Sequence, residues 1–315
     1  MKEKQNLLVL LGPTAVGKTS ISIDLAKRLN GEIISADSMQ IYKYMDIGTA
    51  KITKEEMGYI PHYMINIVYP DEEFTVANFK NKAEEYIKDI NHRGNIPIIV
   101  GGTGLYINSI VYKLQFTEVK PNEKFRTENN DIADKYGNNY LHNKLSEVDP
   151  VSANRINVND RKRIIRALEI LHETGKPMSY YNKNFRKETD EYNLVMVGLT
   201  MDRPKLYSRI NSRVDIMLDE GLIEEVKMLM NMGYTKDLTS MQGIGYKEII
   251  NYLEGTMELY EAIEMLKRNT RRFAKRQLTW FRRDNRIKWV DVNEFHSIES
   301  ISEFLADYVS EELTK

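Results

Sequence analysis

Hydrophobic positions fall into two rhythms along this chain. Residues 7–11 form an unbroken apolar run closed by Gly12, the pattern of a central parallel strand covered on both faces. Ile21, Leu25 and Leu29 then recur at helical spacing, with Gly31 as the expected stop. Residues 32–36 read as a second strand. Val76, Phe79, Ala83, Ile87 and Ile90 share one helical face, Gly94 follows, and residues 96–100 read as a third strand. Such alternation predicts a parallel α/β sheet. After Leu114 the strand signal fades. The stretch to about Tyr192 is rich in Asn, Lys and Glu, with helical periodicity only in pieces such as Ile164, Leu168 and Leu171, and reads as a mainly helical insertion. Residues 194–199 return to a strand pattern, and a helix opens at Pro204, where the missing amide costs nothing. A long helix over residues 257–283 puts Leu259, Ile263, Leu266, Phe273 and Trp280 on one stripe. Polar Thr270 and Gln277 interrupt it, as on a face that lines a site.

Composition narrows the chemistry. The 42% apolar and 29% charged content over 315 residues is that of a folded globular enzyme rather than a disordered or low-complexity chain. With no cysteine, disulfides, thiolate metal sites and a cysteine nucleophile are excluded, and the five histidines show no ligand spacing. No apolar run approaches the ~20 residues of a membrane span or serves as a signal core, so a cytoplasmic protein without a membrane partner is expected. The net charge of −1 hides an uneven distribution: residues 267–288 carry ten Lys or Arg against one Asp. A solvated helix face is the plain reading of that strip, and a nucleic-acid contact the sharper one.

Gly12-Pro-Thr-Ala-Val-Gly-Lys-Thr19 fits G-x-x-x-x-G-K-[ST] and lies between a buried strand and a helix, where a phosphate cradle belongs. There, backbone N–H groups from Gly12, Pro13-flanked Thr14, Ala15, Val16 and Gly17 onward converge on an anion at a helix N-terminus. Lys18 adds a full charge, and Thr19, with Ser20 as helper, is placed to bind Mg²⁺ through its hydroxyl. The motif leaves the reaction open. A regulatory GTPase is disfavoured because Asn81-Lys-Ala-Glu84 and Asn143-Lys-Leu-Ser146 lack the final Asp of the guanine-reading N-K-x-D. A small-metabolite kinase would use an Asp at the end of the second strand as base, and Asp37 sits there. The third possibility is a diphosphate that leaves whole while the chemistry occurs at carbon. A non-catalytic RNA-binding protein with a structural phosphate site is a further alternative.

Other segments choose among these. The second strand leads into Asp37-Ser-Met-Gln-Ile-Tyr42 and then Asp46-Ile-Gly-Thr-Ala-Lys51, and the third into Gly101-Gly-Thr-Gly-Leu-Tyr106. Further on stand Asn159-Asp-Arg-Lys-Arg-Ile-Ile-Arg166, Gly243-Ile-Gly-Tyr-Lys-Glu248 and Lys275-Arg-Gln-Leu-Thr-Trp-Phe-Arg282. As a set, over nearly the whole chain, they resemble the tRNA dimethylallyltransferase family. Gly243 stands where that pattern has alanine, and the lack of cysteine matches the bacterial type without a zinc finger.

The resemblance implies a P-loop NTPase-like parallel sheet core at 1–115 and 195–315, with a helical insertion at 116–194 that contributes to tRNA binding. It implies transfer of a dimethylallyl group from dimethylallyl diphosphate to N6 of the adenine beside the anticodon (tRNA position 37), with release of diphosphate. Asp37 is then the general base, Lys18 the grip on the leaving group, and Thr103 the hydroxyl between the two substrates. Arg213, and Arg209 with less weight, would reach the diphosphate. Ser38, Met39 and Gln40 are expected at the adenine. Contacts to the anticodon stem-loop are expected from Lys162, Arg163 and Arg166, from Gly243, Gly245, Tyr246 and Lys247, and from Arg271, Lys275, Arg276, Gln277, Trp280 and Arg282. Mg²⁺ is the implied cofactor and a monomer the implied state.

Overall fold

The computed structural model describes residues 4–114, 119–181 and 187–314. In chain order its elements are β1 (Gln5–Leu11), α1 (Lys18–Leu29), β2 (Gly31–Ala36), α2 (Lys54–Met57), β3 (His62–Tyr63), α3 (Val76–His92), β4 (Ile96–Gly101), α4 (Gly104–Val111), α5 (Glu123–Tyr136), α6 (Asn138–Val148), α7 (Pro150–Ala153), α8 (Arg161–Thr174), α9 (Met178–Tyr181), β5 (Tyr192–Thr200), α10 (Arg203–Asp219), α11 (Leu222–Asn231), α12 (Tyr246–Leu253), α13 (Leu259–Phe281), β6 (Lys288–Asp291) and α14 (Ile298–Leu313). The strands form one parallel sheet in the order β3-β2-β4-β1-β5-β6. It is an α/β fold of the P-loop NTPase-like kind.

β1 lies inside the sheet, and the side chains of Leu7 through Leu11 are fully buried, which is why no polar position interrupts that run. α1 and α14 pack together, and Leu25, Ile301, Leu305 and Val309 join the sheet residues in one core. The stop after α1 is Asn30 rather than Gly31: Asn30 takes the left-handed conformation at φ +50°, which an asparagine tolerates through its short polar side chain. Gly31 begins β2, where a Cβ would lie 2.6 Å from Ile98. Two short strands, β3 and β6, escape the periodicity because two and four residues cannot show one.

The chain divides into two compact units, residues 1–110 with 190–315, and residues 111–189. The expected boundary at 115/116 lies outside the described residues. The second unit is helical, with a core of Leu141, Leu145, Ile164, Ile165 and their neighbours. Buried Glu169 ties it together, accepting from Arg126 Nε at 2.8 Å, Arg166 Nη1 at 2.5 Å and the Asn122 amide at 2.8 Å. Burial alone would raise the Glu169 carboxyl, but these donors outweigh it and hold the group below the usual carboxylate range. Among the described residues no helix is long and apolar enough to cross a membrane.

Candidate functional site

Strand register builds the site. Leu11 of β1 and Ala36 of β2 both pair with Gly101 of β4, so three strand ends form one row, and the segments after them leave from a common rim. These are the three segments in which the sequence places its phosphate loop, its acidic residue and its threonine. A cavity of about 510 Å³ opens above that rim. Lys18, Thr19 and Ser20 line it from the first segment, Asp37 and Gln40 from the second, Gly101 and Gly102 from the third, and Arg209 and Arg213 from α10.

On the phosphate side, Lys18 Nζ donates to the carbonyls of Gly12 at 3.0 Å and Pro13 at 2.8 Å. Burial pushes this ammonium down to about 8; the Asp37 charge opposes the shift and the Arg213 charge adds to it. Arg213 is likewise lowered by burial and supported by Asp37. Two cations held at a desolvation cost beside a helix N-terminus are of the chemistry that suits an anion.

The facing side is assembled from several pieces. Asp37 lines the cavity, and its Oδ1 accepts from the Met39 amide at 2.9 Å, which fixes the turn. Thr103 donates its amide to the Ala36 carbonyl at 3.1 Å, and its Oγ1 accepts from the Ser38 amide at 3.0 Å. Gln40 is clasped by Ser35 Oγ and the carbonyls of Thr49 and Ala50. Those carbonyls belong to a turn that Glu225 of α11 pins: its carboxylate accepts the amides of Asp46, Ile47 and Gly48 at 2.7–3.0 Å and the Tyr246 hydroxyl at 2.7 Å. Lys51, also on the cavity, has a side chain only 3% exposed and donates to the Tyr42 carbonyl, Asp46 and Asn66.

Several expectations need correction. Tyr246 is fully buried, packed so closely on Gly48 that a Cβ there would lie 2.6 Å from its ring, and Gly245 is buried beside it. Neither is on the surface; the Gly-Tyr-Lys-Glu segment starts α12, with Glu248 folding back on the Gly245 amide at 2.8 Å. Gln277 is 6% exposed and bonded inside the cleft. Arg271 turns to α10, donating to Asn211 Oδ1 at 2.6 Å. Arg166 is spent on Glu169 and the Val119 carbonyl. By contrast Lys275, Arg276 and Arg282 are exposed, joined by Arg268 and Arg272, while Trp280 and Lys247 are half-buried and Gly243 sits against Met39. Lys162 and Arg163 are exposed on α8 of the second unit, Arg163 pairing loosely with Asp160. Sequence reasoning missed Lys51 and Glu225 as parts of the site. Lys51 stands in a quoted motif that was a signal; Glu225, in an acidic helix 177–179 residues from its partners, gave none.

Known proteins resemble this chain over almost its whole length. A family model described as IPP transferase matches residues 40–284. The tRNA dimethylallyltransferase of Acetivibrio thermocellus is 53% identical over 305 residues, covering 97% of each chain, and that of Carboxydothermus hydrogenoformans 54% over 303 residues, covering 96% of each. The full-length tRNA isopentenylpyrophosphate transferase from Bacillus halodurans superposes with a TM-score of 0.71 at 48% identity, covering 98% of both chains. A eukaryotic dimethylallyltransferase caught in crystallographic snapshots acting on tRNA gives a TM-score of 0.81 at 32% identity, covering 98% of this chain and 80% of that one.

Proposed function

The chain belongs to the IPP transferase family, the tRNA dimethylallyltransferases, and from that premise we infer how its own residues divide the work of moving a dimethylallyl group from its diphosphate to N6 of an adenine beside the tRNA anticodon. The observation that carries the reading is the single row of strand ends, which brings Lys18 and Asp37, with Arg213 of α10, onto one cavity. An allylic C–O bond breaks readily once its leaving group is neutralised. Lys18, the amides from Ala15 to Ser20, and Arg209 with Arg213 stabilise the departing diphosphate, and their grip strengthens as its charge grows. The N6 lone pair forms the new C–N bond, and the proton it sheds passes to Asp37. Ser38, Gln40 and Thr103 orient the adenine, which must first leave its stack.

The donor set fits a divalent ion that arrives with the diphosphate. Among the described residues no three carboxylates or imidazoles cluster, whereas the Thr19 hydroxyl and, through water, Asp37 suit Mg²⁺, which keeps waters and substrate phosphates as ligands. When bound, the ion adds neutralising charge at the leaving group. The exposed cationic face of α13 suits the phosphates of an RNA stem-loop, and the exposed Lys162 and Arg163 on α8 of the second unit are, separately, of the same chemistry. This reading makes the protein cytoplasmic, where tRNA is matured. Incubation with labelled dimethylallyl diphosphate and unmodified tRNA tests it: label enters an adenine beside the anticodon and free diphosphate is released. Transfer of a γ-phosphate from ATP to a metabolite, with no label in RNA, overturns it.

A further inference from the structure

One side chain links the phosphate loop after β1 to the turn after β4. Gln277 Oε1 accepts from the Thr14 amide at 2.9 Å, and its Nε2 donates to the Gly102 carbonyl at 3.0 Å. A backbone N–H can only donate and a carbonyl can only accept, so the orientation of the carboxamide is fixed and no carboxylate, thioether or amine can serve both partners. The contact is tight. A Cβ on Gly102 would collide with Gln277 Nε2, and one on Gly104 with the Trp280 ring, so α13 is pressed onto the turn after β4 at two successive helix positions. This also explains the polar interruption in an otherwise apolar stripe.

What lies beyond each partner gives the bond its meaning. Thr14 belongs to the loop whose Gly12 and Pro13 carbonyls hold Lys18. Gly102 precedes Thr103, which bonds Ala36 and Ser38 on either side of Asp37. On its remaining face the same helix is tied to α10, which carries Arg209 and Arg213, through Arg271 to Asn211 and Lys267 to Asp215 at 2.6 Å each. We propose that Gln277 is a positioning residue for prenyl transfer: it sets the separation between the diphosphate cradle and the Asp37–Thr103 wall, so that the attacked carbon and the carboxylate that takes the proton stay in register. This rests on the reading of the site as a dimethylallyltransferase.

Two variants split the two halves of the bond. Gln277→Glu keeps the acceptor for Thr14 but sets an oxygen against the Gly102 carbonyl; Gln277→Met fills the space and serves neither. In the Glu variant the added charge beside the cradle weakens dimethylallyl diphosphate affinity, and single-turnover transfer at saturating diphosphate still falls roughly 10²-fold, the scale of a small misplacement of reacting groups. The Met variant is expected to lose both affinity and rate. A third signature separates positioning from stability alone. Protonation of the new carboxyl restores a donor toward Gly102, so the ratio of variant to wild-type rate rises as pH falls. Wild-type single-turnover rate in folded Gln277→Glu, a loss confined to diphosphate affinity, or a lowered melting temperature with unchanged rate per folded molecule, each overturns the proposal. If the Glu variant does not fold, Gln277→Met decides, since a turnover loss that saturating diphosphate does not rescue is expected and its absence is fatal. Wild-type protein that puts no label into tRNA would instead indict the functional reading.

Discussion

The two walls of the cleft are built in opposite ways. The phosphate wall is mostly local: one contiguous loop after β1 supplies its backbone amides and a lysine buried at its own carbonyls, and Arg209 and Arg213 of α10 complete it. The facing wall is distributed. Asp37 and Gln40 follow β2, Thr103 follows β4, and the turn at residues 46–48 that supports Gln40 and Lys51 hangs from Glu225 and Tyr246 on α11 and α12. A local wall tolerates changes elsewhere in the chain; a distributed wall transmits them. Substitutions far from the cavity should therefore impair the chemical step while sparing diphosphate binding.

The sharpest test pairs one residue from each wall. Asp37→Ala is expected to lower the single-turnover rate by roughly 10²–10⁴-fold with diphosphate affinity little changed, the range for a lost general base. Lys18→Ala should weaken affinity and rate together, because the lost charge acts on bound and departing diphosphate alike. Equal rates in the Asp37 variant and wild type, by rapid quench, would erase the division between walls. The outer face of α13 offers the next test. Neutralising Arg272, Lys275 and Arg276 is expected to weaken tRNA binding and flatten the slope of log K against log salt by about two units, at ~0.7–0.9 for each phosphate contact, with diphosphate binding intact. Arg271, turned inward to Asn211, should leave that slope almost unchanged when replaced.

Glu225 probes the distributed wall at a distance. Glu225→Ala strands three part-buried backbone donors and the buried Tyr246 hydroxyl at ~1–3 kcal/mol each, so a loss of several kcal/mol in urea-unfolding stability is expected. Glu225→Gln should rescue little, because its amide nitrogen would face further donors. A Gln variant as stable as wild type would show that the turn stands without its clamp.

This division also governs what the sequence disclosed. The phosphate loop, Asp37 and Thr103 were legible because each follows its strand end directly, and the register of Leu11, Gly101 and Ala36 brings them together. Gly245, Tyr246 and Gln277 were legible as motif members, but a sequence pattern records that a residue is constrained without recording which way it faces. Burial settles that: their constraint comes from holding the turn at 46–48 and the loop at Thr14. Glu225 left no trace, because a carboxylate in an acidic surface-like helix looks the same whether it meets water or a stranded backbone.

Two smaller effects refine the contrast. With Lys18 lowered to about 8 in the free protein, a bound diphosphate raises it again. Well below pH 8 the lysine is already charged and binding takes up almost no proton. Above it, binding draws in a proton, and affinity falls with a slope approaching one decade per pH unit. Calorimetry at pH 8.5 in buffers of different ionisation enthalpy should register this uptake in wild type and not in Lys18→Ala; zero uptake in wild type would mean that the cradle is fully charged when empty.

The smallest effect is expected at Gly243, the position where the family pattern has alanine. Its backbone lies outside the left-handed region, so nothing in the main chain demands glycine. The obstacle is one neighbour: a Cβ there would lie 2.5 Å from Met39 Cε and 3.1 Å from the Ser240 carbonyl oxygen. The methionine methyl is the free end of a flexible chain and can swing aside, whereas the carbonyl needs only a few tenths of an ångström. Against that adjustment stands the entropy a glycine loses on folding, worth ~0.4–1 kcal/mol in favour of alanine. Gly243→Ala should thus change the melting temperature by no more than a few degrees. Its functional effect, if the facing wall transmits strain as argued, should fall on the chemical step through Met39, two residues from Asp37, and leave diphosphate affinity unchanged. A variant that binds diphosphate more weakly at full chemical rate would place Met39 on the wrong wall.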